Sequence, residues 1–304
     1  MLFLSSYLYY KTIIPFNKKM SDNTDNNVEG ENSIEKPGKK LSSYRNISYS
    51  KRDIFYRKAK EEGFRARSVY KLKEIHYNYN ILSPSYSNFV DLCAAPGSWT
   101  QMLRILTKSN PNAKIVSVDI QHIVPIEGVT IIKGDITRQD TIEKILASFD
   151  QNKVDVIIFD GAPDVTGVID VDMYMQVELI IFALVIVMKL LKKGGIFVAK
   201  MFKVGAEDDL EKVKRENLYA VKSDFYYEKV KILFDNVFYF KPTSSRASSH
   251  ETYLICENFE IEDNEILKVI EKATMEEIFN YEELIKDEKT KNFLQFLVKG
   301  KYSL

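Results

Sequence analysis

The chain has 304 residues, 45% of them hydrophobic and 28% charged, with a formal net charge of zero. That is an ordinary globular balance, able to fill a sizeable core and long enough for one large or two small domains. Two cysteines, Cys93 and Cys256, exclude a disulfide framework and offer no Cys/His spacing for zinc, so a metal-free protein of a reducing compartment, the cytoplasm, is expected.

The first stretch, Met1 to Phe16, is apolar and aromatic but lacks a cationic lead and a small-residue cleavage site, so no signal peptide is expected. Residues 20–45 are rich in Asn, Ser, Lys and Glu and too poor in apolar side chains to repay ordering. Residues 1–45 are therefore expected to be a disordered or non-native leader, with Met20 a candidate start. Zero net charge hides a split. Residues 36–74 hold thirteen Lys/Arg against four Asp/Glu, whereas 257–288 hold twelve Asp/Glu against three Lys. The first stretch could attract phosphate and the second would repel it, or both could be solvated helical faces.

From Arg52 to Ile75 the pattern reads as helical, with Ile54, Phe55, Val69, Leu72 and Ile75 as core contacts. Apolar, β-branched runs follow at Asn88–Leu92, Lys114–Ile120, Val129–Lys133, Val154–Phe159, Ile196–Phe202, Val237–Phe240 and Thr252–Cys256. Helical stretches lie between them at Trp99–Thr107, Thr141–Phe149, Met173–Leu191 and Tyr226–Phe234. Such alternation predicts an α/β architecture: a mostly parallel seven-stranded sheet with helices on both faces. Lys241–Glu251 is too short for a helical crossover, so the last strand is expected to be antiparallel. The longest apolar run, Leu179–Met188, is ten residues and too short to span a bilayer. Residues 204–224 read as an insertion loop within a domain of 46–258, and 259–304 as an acidic helical extension.

The strongest local signal is Asp91-Leu92-Cys93-Ala94-Ala95-Pro96-Gly97-Ser98-Trp99-Thr100-Gln101, between a strand and a helix. Small residues let a backbone turn tightly against a ligand at the carboxyl end of a sheet. The next strand ends at Asp119, 22 residues after Gly97, placed to accept both hydroxyls of an adenosine ribose. The third ends near Asp135, which could accept from the adenine amino group. With neither G-x-G-x-x-G nor a P-loop lysine, a pyrophosphate cradle is disfavoured and a smaller adenosine-containing ligand is favoured.

This loop is similar to the S-adenosylmethionine loop of the FtsJ-like methyltransferases, commonly D-L-x-A-A-P-G-G-W-S-Q, departing from it at Ser98 and Thr100. The resemblance implies a Rossmann-like S-adenosylmethionine-dependent methyltransferase fold. It implies a cofactor site of Asp91, Ala94, Pro96, Gly97, Ser98, Trp99, Asp119, Ile120, Asp135, Ile136 and Asp160. S-adenosylhomocysteine would be the product. Four further residues lie in segments resembling family motifs: Lys71 in R-A-R-S-V-Y-K-L, Asp160 in D-G-A-P-D-V-T-G, Lys200 in V-A-K-M-F and Glu251 in S-S-R-A-S-S-H-E. Together they resemble the family's Lys-Asp-Lys-Glu catalytic tetrad, which moves a methyl group to a ribose 2′-oxygen of RNA, with Lys200 the candidate proton acceptor. The alternative reading is a structural cluster of ion pairs.

The segments 160–167, Val118–Gln121, Gly134–Thr137 and Lys51–Arg57 are similar to the eukaryotic branch that methylates the tRNA anticodon loop at positions 32 and 34. An anticodon loop presents its 2′-hydroxyls unpaired. Lys51, Arg52, Arg57, Lys58, Arg65, Arg67 and Arg246 are the expected RNA contacts, and Phe55, Tyr56, Phe64 and Tyr70 could stack on bases or pack in the core. The resemblance also implies helper subunits of helical-repeat and β-propeller types. Two rivals remain: a methyltransferase of ribosomal RNA or an mRNA cap, and a non-catalytic RNA-binding protein of the same fold.

Overall fold

A computed structural model describes residues 54–163, 169–202, 227, 229–246, 249, 251–261 and 264–299. The 1–45 leader, Lys51, Arg52, the 204–224 insertion and residues 226 and 228 lie outside the described residues. Of the helix expected at Tyr226–Phe234, the described part is helical only to residue 231, and Phe234 already belongs to a strand.

The basic helix expected over Arg52–Ile75 is two helices. The first, α1, covers 54–61 and the second, α2, Val69–Tyr79. Gly63 breaks them: its φ is +77°, its N–H bonds to Lys60 O, and Phe64 N–H reaches back to Ala59 O. That is a Schellman stop with glycine in the left-handed position. The break rotates α1, so Ile54, expected in the core, is 54% exposed while Val69, Leu72 and Ile75 are fully buried.

Seven strands follow: β1 Asn88–Leu92, β2 Lys114–Asp119, β3 Val129–Lys133, β4 Val154–Phe159, β5 Leu191–Phe202, β6 Phe234–Phe240 and β7 Glu251–Phe259. They form one sheet of order β3-β2-β1-β4-β5-β7-β6. Pairing is parallel from β3 through β5, and β7 runs antiparallel to both β5 and β6. The expected sheet, with its antiparallel last strand, is present.

Strand parity sorts the core. Phe89, Ile115, Val156, Ile158, Ile196, Val198, Tyr253 and Ile255 face one side, against α1, α2 and α3 (Ser98–Leu106). Val90, Val116, Ile157, Phe197, Ala199 and Leu254 face the other, against α4 (Gln139–Ser148) and α5 (Ile169–Leu190). From Ala183 to Leu190 every α5 side chain is buried. A helix apolar all round needs cover on two sides. The second cover comes from α6 (Asn264–Lys272), α7 (Met275–Phe279), α8 (Tyr281–Leu284) and α9 (Glu288–Leu294). Their Ile266, Ile270, Met275, Ile278, Tyr281 and Leu294 join the same core. Lys189, buried in the last turn of α5, donates to Ile270 O at 2.7 Å, Glu271 O at 3.3 Å and Ala273 O. It thereby caps the carbonyl end of α6. The acidic C-terminal helices thus share the domain's core through their apolar faces. No described helix is long and apolar enough to cross a membrane.

Candidate active site

Strand order reverses between β1 and β4, and open α/β sheets bind ligands beyond the carboxyl ends of strands at such a switch point. Asp91 lies on β1 and Asp160 immediately follows β4. Register brings the remaining groups together. Phe159 pairs with Ala199, which sets Asp160 level with Lys200. Lys200 sits opposite Tyr253, and Glu251 follows two residues away on the same face of β7. Lys71 comes down from α2 onto that face.

The four expected catalytic residues meet as two ion pairs. Lys71 Nζ lies 2.6 Å and 2.8 Å from the two carboxylate oxygens of Glu251. Lys200 Nζ donates to Asp160 O at 2.6 Å and stands 3.2 Å from Asp160 Oδ1. Tyr253, which sequence reading missed, links the pairs. Its hydroxyl donates to Asp160 Oδ1 at 2.7 Å, and its ring lies 5.9 Å from Lys71 Nζ. Burial and the carboxylates of Asp160 and Glu251 push its phenol well above the usual tyrosine range, so it stays a hydrogen-bond donor. For Glu251, burial alone would raise the carboxyl, but the ammonium groups of Lys71 and Lys200 and the Ser245 hydroxyl outweigh it and hold it below the ordinary glutamate value. Gln176 of α5, also missed, donates to Gly161 O at 3.1 Å and Lys200 O at 2.9 Å, pinning the ends of β4 and β5 together. The only sequence signal for Tyr253 was its alternation with Glu251; Gln176 gave none.

The loop expected to hold the cofactor turns tightly and is tied to β2. Cys93 and Gly97 have φ of +58° and +105°, the Ala95–Pro96 peptide is cis, and Ala94 N–H bonds to Val118 O. Asp119 accepts from Ala95 N–H and Gln121 N–H at 2.8 Å and 2.7 Å, one on each oxygen. A carboxylate has about four acceptor positions, so both oxygens keep capacity for a ligand's hydroxyls. Asp135 accepts from the Thr137 N–H and hydroxyl through Oδ1. Asp91 is fully buried: Oδ2 accepts from Thr100, which also meets Ser117, while Oδ1 has no hydrogen-bond partner among the described residues. Burial, opposed by the Thr100 hydrogen bond and reinforced by Asp160 and Asp119, raises its carboxyl to about 8. An orphaned buried carboxyl oxygen at the end of β1, with a positive-φ glycine and the first turn of α3 following in the same segment, suits a small ligand carrying both cationic and anionic ends.

Some expected contacts turn elsewhere. Trp99 donates its indole N–H to Ser68 O at 2.8 Å and packs against Tyr253, leaving only its backbone for a ligand. Ser98 Oγ pairs with Ser68 Oγ at 2.8 Å. Ile136 packs into the α4–α5 core, so it too offers only backbone, whereas Ile120 is exposed. Gly161 is tightly enclosed: a Cβ there would lie 2.4 Å from the buried Phe159 ring, which would have to shift to admit it.

The expected RNA contacts divide as well. Arg57 and Arg246 are exposed, and Lys58 lies near Glu62 and over the Tyr70 ring. Arg67 donates to Ser244 O at 2.6 Å, and Arg65 to the carbonyls of Pro96 and Pro125. Phe55 and Phe64 pack on Tyr70, so of the four aromatics Tyr56 alone is exposed. Their faces are apolar enough to be worth more inside than out. Among the described residues no group of three or more His, Cys, Asp or Glu side chains could hold a metal ion.

The sequence model of the FtsJ-like methyltransferases matches residues 64–259. A Dictyostelium discoideum protein assigned as a tRNA (cytidine(32)/guanosine(34)-2′-O)-methyltransferase is 47% identical over 229 residues, 74% of this chain and 78% of that one. The human tRNA (cytidine(32)/guanosine(34)-2′-O)-methyltransferase is 40% identical over 213 residues, 70% of this chain but 60% of the human protein. Among solved structures, a Plasmodium falciparum protein assigned as a ribosomal RNA methyltransferase superposes with a TM-score of 0.52 at 26% identity, covering 64% of this chain and 98% of that one.

Proposed function

This chain belongs to the family of FtsJ-like methyltransferases, and on that premise we propose that it methylates ribose 2′-hydroxyls of the tRNA anticodon loop, at positions 32 and 34, using S-adenosylmethionine. The observation that carries the chemistry is the convergence of the Lys71–Glu251 and Lys200–Asp160 pairs around Tyr253, beside the acids of the cofactor loop. The names of the relatives supply the substrate.

Asp119 would hold the ribose hydroxyls of the cofactor, Asp135 its adenine, and the 93–98 backbone with Asp91 its amino-acid end. S-adenosylmethionine, when bound, would supply a methyl group on a sulfonium, and the neutral thioether it leaves behind would need no acid. What remains difficult is the 2′-hydroxyl, a very weak acid. Lys200, fixed by Asp160, orients its oxygen, and its proton leaves toward that pair. Lys71 and Glu251 hold the ribose side of the cleft, and Tyr253 keeps both pairs in register. Much of the rate then comes from alignment in a site that excludes water. The exposed cations of α1 and Arg246 take the phosphates.

Helper subunits, of helical-repeat and β-propeller types by family resemblance, complete the tRNA footprint. The outward acids of α7–α9, such as Glu276, Glu283 and Glu288, would repel phosphate and suit a basic protein surface. Cys93 and Cys256 are unpaired, in keeping with the cytoplasm. The test is incubation with methyl-labelled cofactor and total cellular RNA, followed by sizing. Label should enter tRNA and be lost from transcripts already methylated at positions 32 and 34. Label in ribosomal or capped RNA favours the rival enzymes, and no label from a cofactor-binding chain favours a non-catalytic RNA binder.

A further inference from the structure

Arg65 belongs by sequence to the basic stretch expected to grip RNA, yet its hydrogen bonds all face the cofactor loops. One guanidinium nitrogen donates to Pro96 O at 3.0 Å and the other terminal nitrogen to Pro125 O at 3.1 Å. Its backbone N–H donates to Gln101 Oε1 at 2.9 Å, and Gln101 returns a bond to Gly63 O at 3.1 Å. The guanidinium presses on Gly97 so closely that a Cβ there would lie 2.7 Å from Nη1.

Pro96 lies in the loop after β1 and Pro125 in the loop after β2. Asp119 joins the same two loops from within, through Ala95 N–H and Gln121 N–H. Arg65 joins them from outside. The inner tie is itself the carboxylate read above as the ribose acceptor. We propose that Arg65 is a positioning residue for the cofactor, stapling the two loops that flank the adenosyl group, and not an RNA contact. This rests on reading that pocket as an adenosyl site. The planar fork is what the role requires, because it reaches two carbonyls at once; a lysine ammonium on a flexible stem can hold one well. Without the staple the loops need ordering when ligand binds, which lowers affinity although every group that touches the ligand is still present.

The test measures binding without turnover. S-adenosylhomocysteine affinity is read by calorimetry and tRNA-transcript affinity by filter binding, on the full chain and its R65A and R65K variants. R65A should weaken S-adenosylhomocysteine by about tenfold, on the scale of one charge-assisted hydrogen bond, and R65K by less. Transcript affinity without cofactor should stay within about twofold of wild type, allowing for loss of one screened charge. In turnover, the KM for cofactor should rise while kcat at saturating cofactor holds. Unchanged S-adenosylhomocysteine affinity in R65A, or a fall confined to transcript binding, overturns the proposal. If R65A does not fold, R65K decides: wild-type ligand affinity there overturns it equally. A wild-type chain that binds no S-adenosylhomocysteine overturns the pocket reading and this proposal together, whereas wild-type binding with an indifferent Arg65 overturns this proposal alone.

Discussion

Replacing Lys71 by Met should destabilise the protein more than removal of any surface cation. Both carboxylate oxygens of Glu251 lie within 2.8 Å of Lys71 Nζ, and the two side chains are only 14% and 12% exposed. At an effective dielectric near 20, opposite charges about 2.7 Å apart attract by roughly 6 kcal/mol before desolvation is subtracted. Met fills similar volume but leaves Glu251 buried with the Ser245 hydroxyl as its close remaining donor on Oε1. Breaking such a pair from one side costs about 3–5 kcal/mol. Lys71→Met/Glu251→Gln removes the orphaned charge and should recover most of that loss. Urea unfolding of wild type, both single variants and the double variant gives the coupling, expected to be about 2 kcal/mol or more near neutral pH. The pH sign follows from Glu251. Its carboxyl is held below the ordinary glutamate value of 4.5. Its contribution is therefore present above that value and lost as pH falls through the lower, folded one. In Lys71→Met the carboxyl rises instead, so the penalty should shrink on acidification toward about pH 4, as Glu251 takes a proton. Additive single variants, or a penalty that ignores pH, would refute the buried pair.

Lys200→Ala should bind S-adenosylhomocysteine like wild type yet lose at least about a hundredfold in methyl transfer, given the usual weight of a proton-transfer group; turnover near wild type would remove Lys200 from the chemistry. Asp91, raised by burial to about 8, favours folding while protonated. Its folded value lies above the unfolded one, so its contribution is fully present below about pH 4 and is lost as pH rises through about 8. Asp91→Asn should flatten that decline in ligand-free protein, as followed by thermal melting across the range; an unchanged slope would show that Asp91 is ionised throughout. Lys189→Met leaves the carbonyls of Ile270, Glu271 and Ala273 without their shared donor, costing about 1–3 kcal/mol. Hydrogen exchange should then rise in α6 and α7 before the sheet; uniform exchange would show that the cap is dispensable.

The C-terminal helices change how partner binding must be tested. Deleting 260–304 would strip Ile266, Ile270, Ile278 and Leu294 from the core beside α5, so lost capture would report unfolding as readily as a lost surface. Charge reversal at exposed Glu276, Glu283 and Glu288 leaves that core intact. The acidic composition was plain in the sequence. The apolar faces of these helices were not read from it, and the ten-residue apolar run of α5 did not reveal that they were its second cover.

Local features read well wherever the chain's own chemistry decides them. Strands β1, β3 and β4 fall at the residues expected from short apolar runs bounded by polar turns. The small-residue loop and the acids at strand ends are likewise local, because a tight turn needs glycine and a strand end faces the crevice. Gly63 was also a local stop signal, and it was overridden by reading one continuous periodicity across it. What the sequence could not decide is the destination of long polar and aromatic side chains. Arg65 and Arg67 carry the same charge and sit two residues apart, yet one ends on Pro96 and Pro125 and the other on Ser244. Tyr253 becomes the link between two ion pairs only because β7 runs antiparallel beside β5, setting it opposite Lys200. Lys71 and Glu251 are 180 residues apart. Sequence determines which residues can carry charge, turn or alternate; tertiary packing alone decides which distant groups share a water-poor space, and there a charge must find its partner.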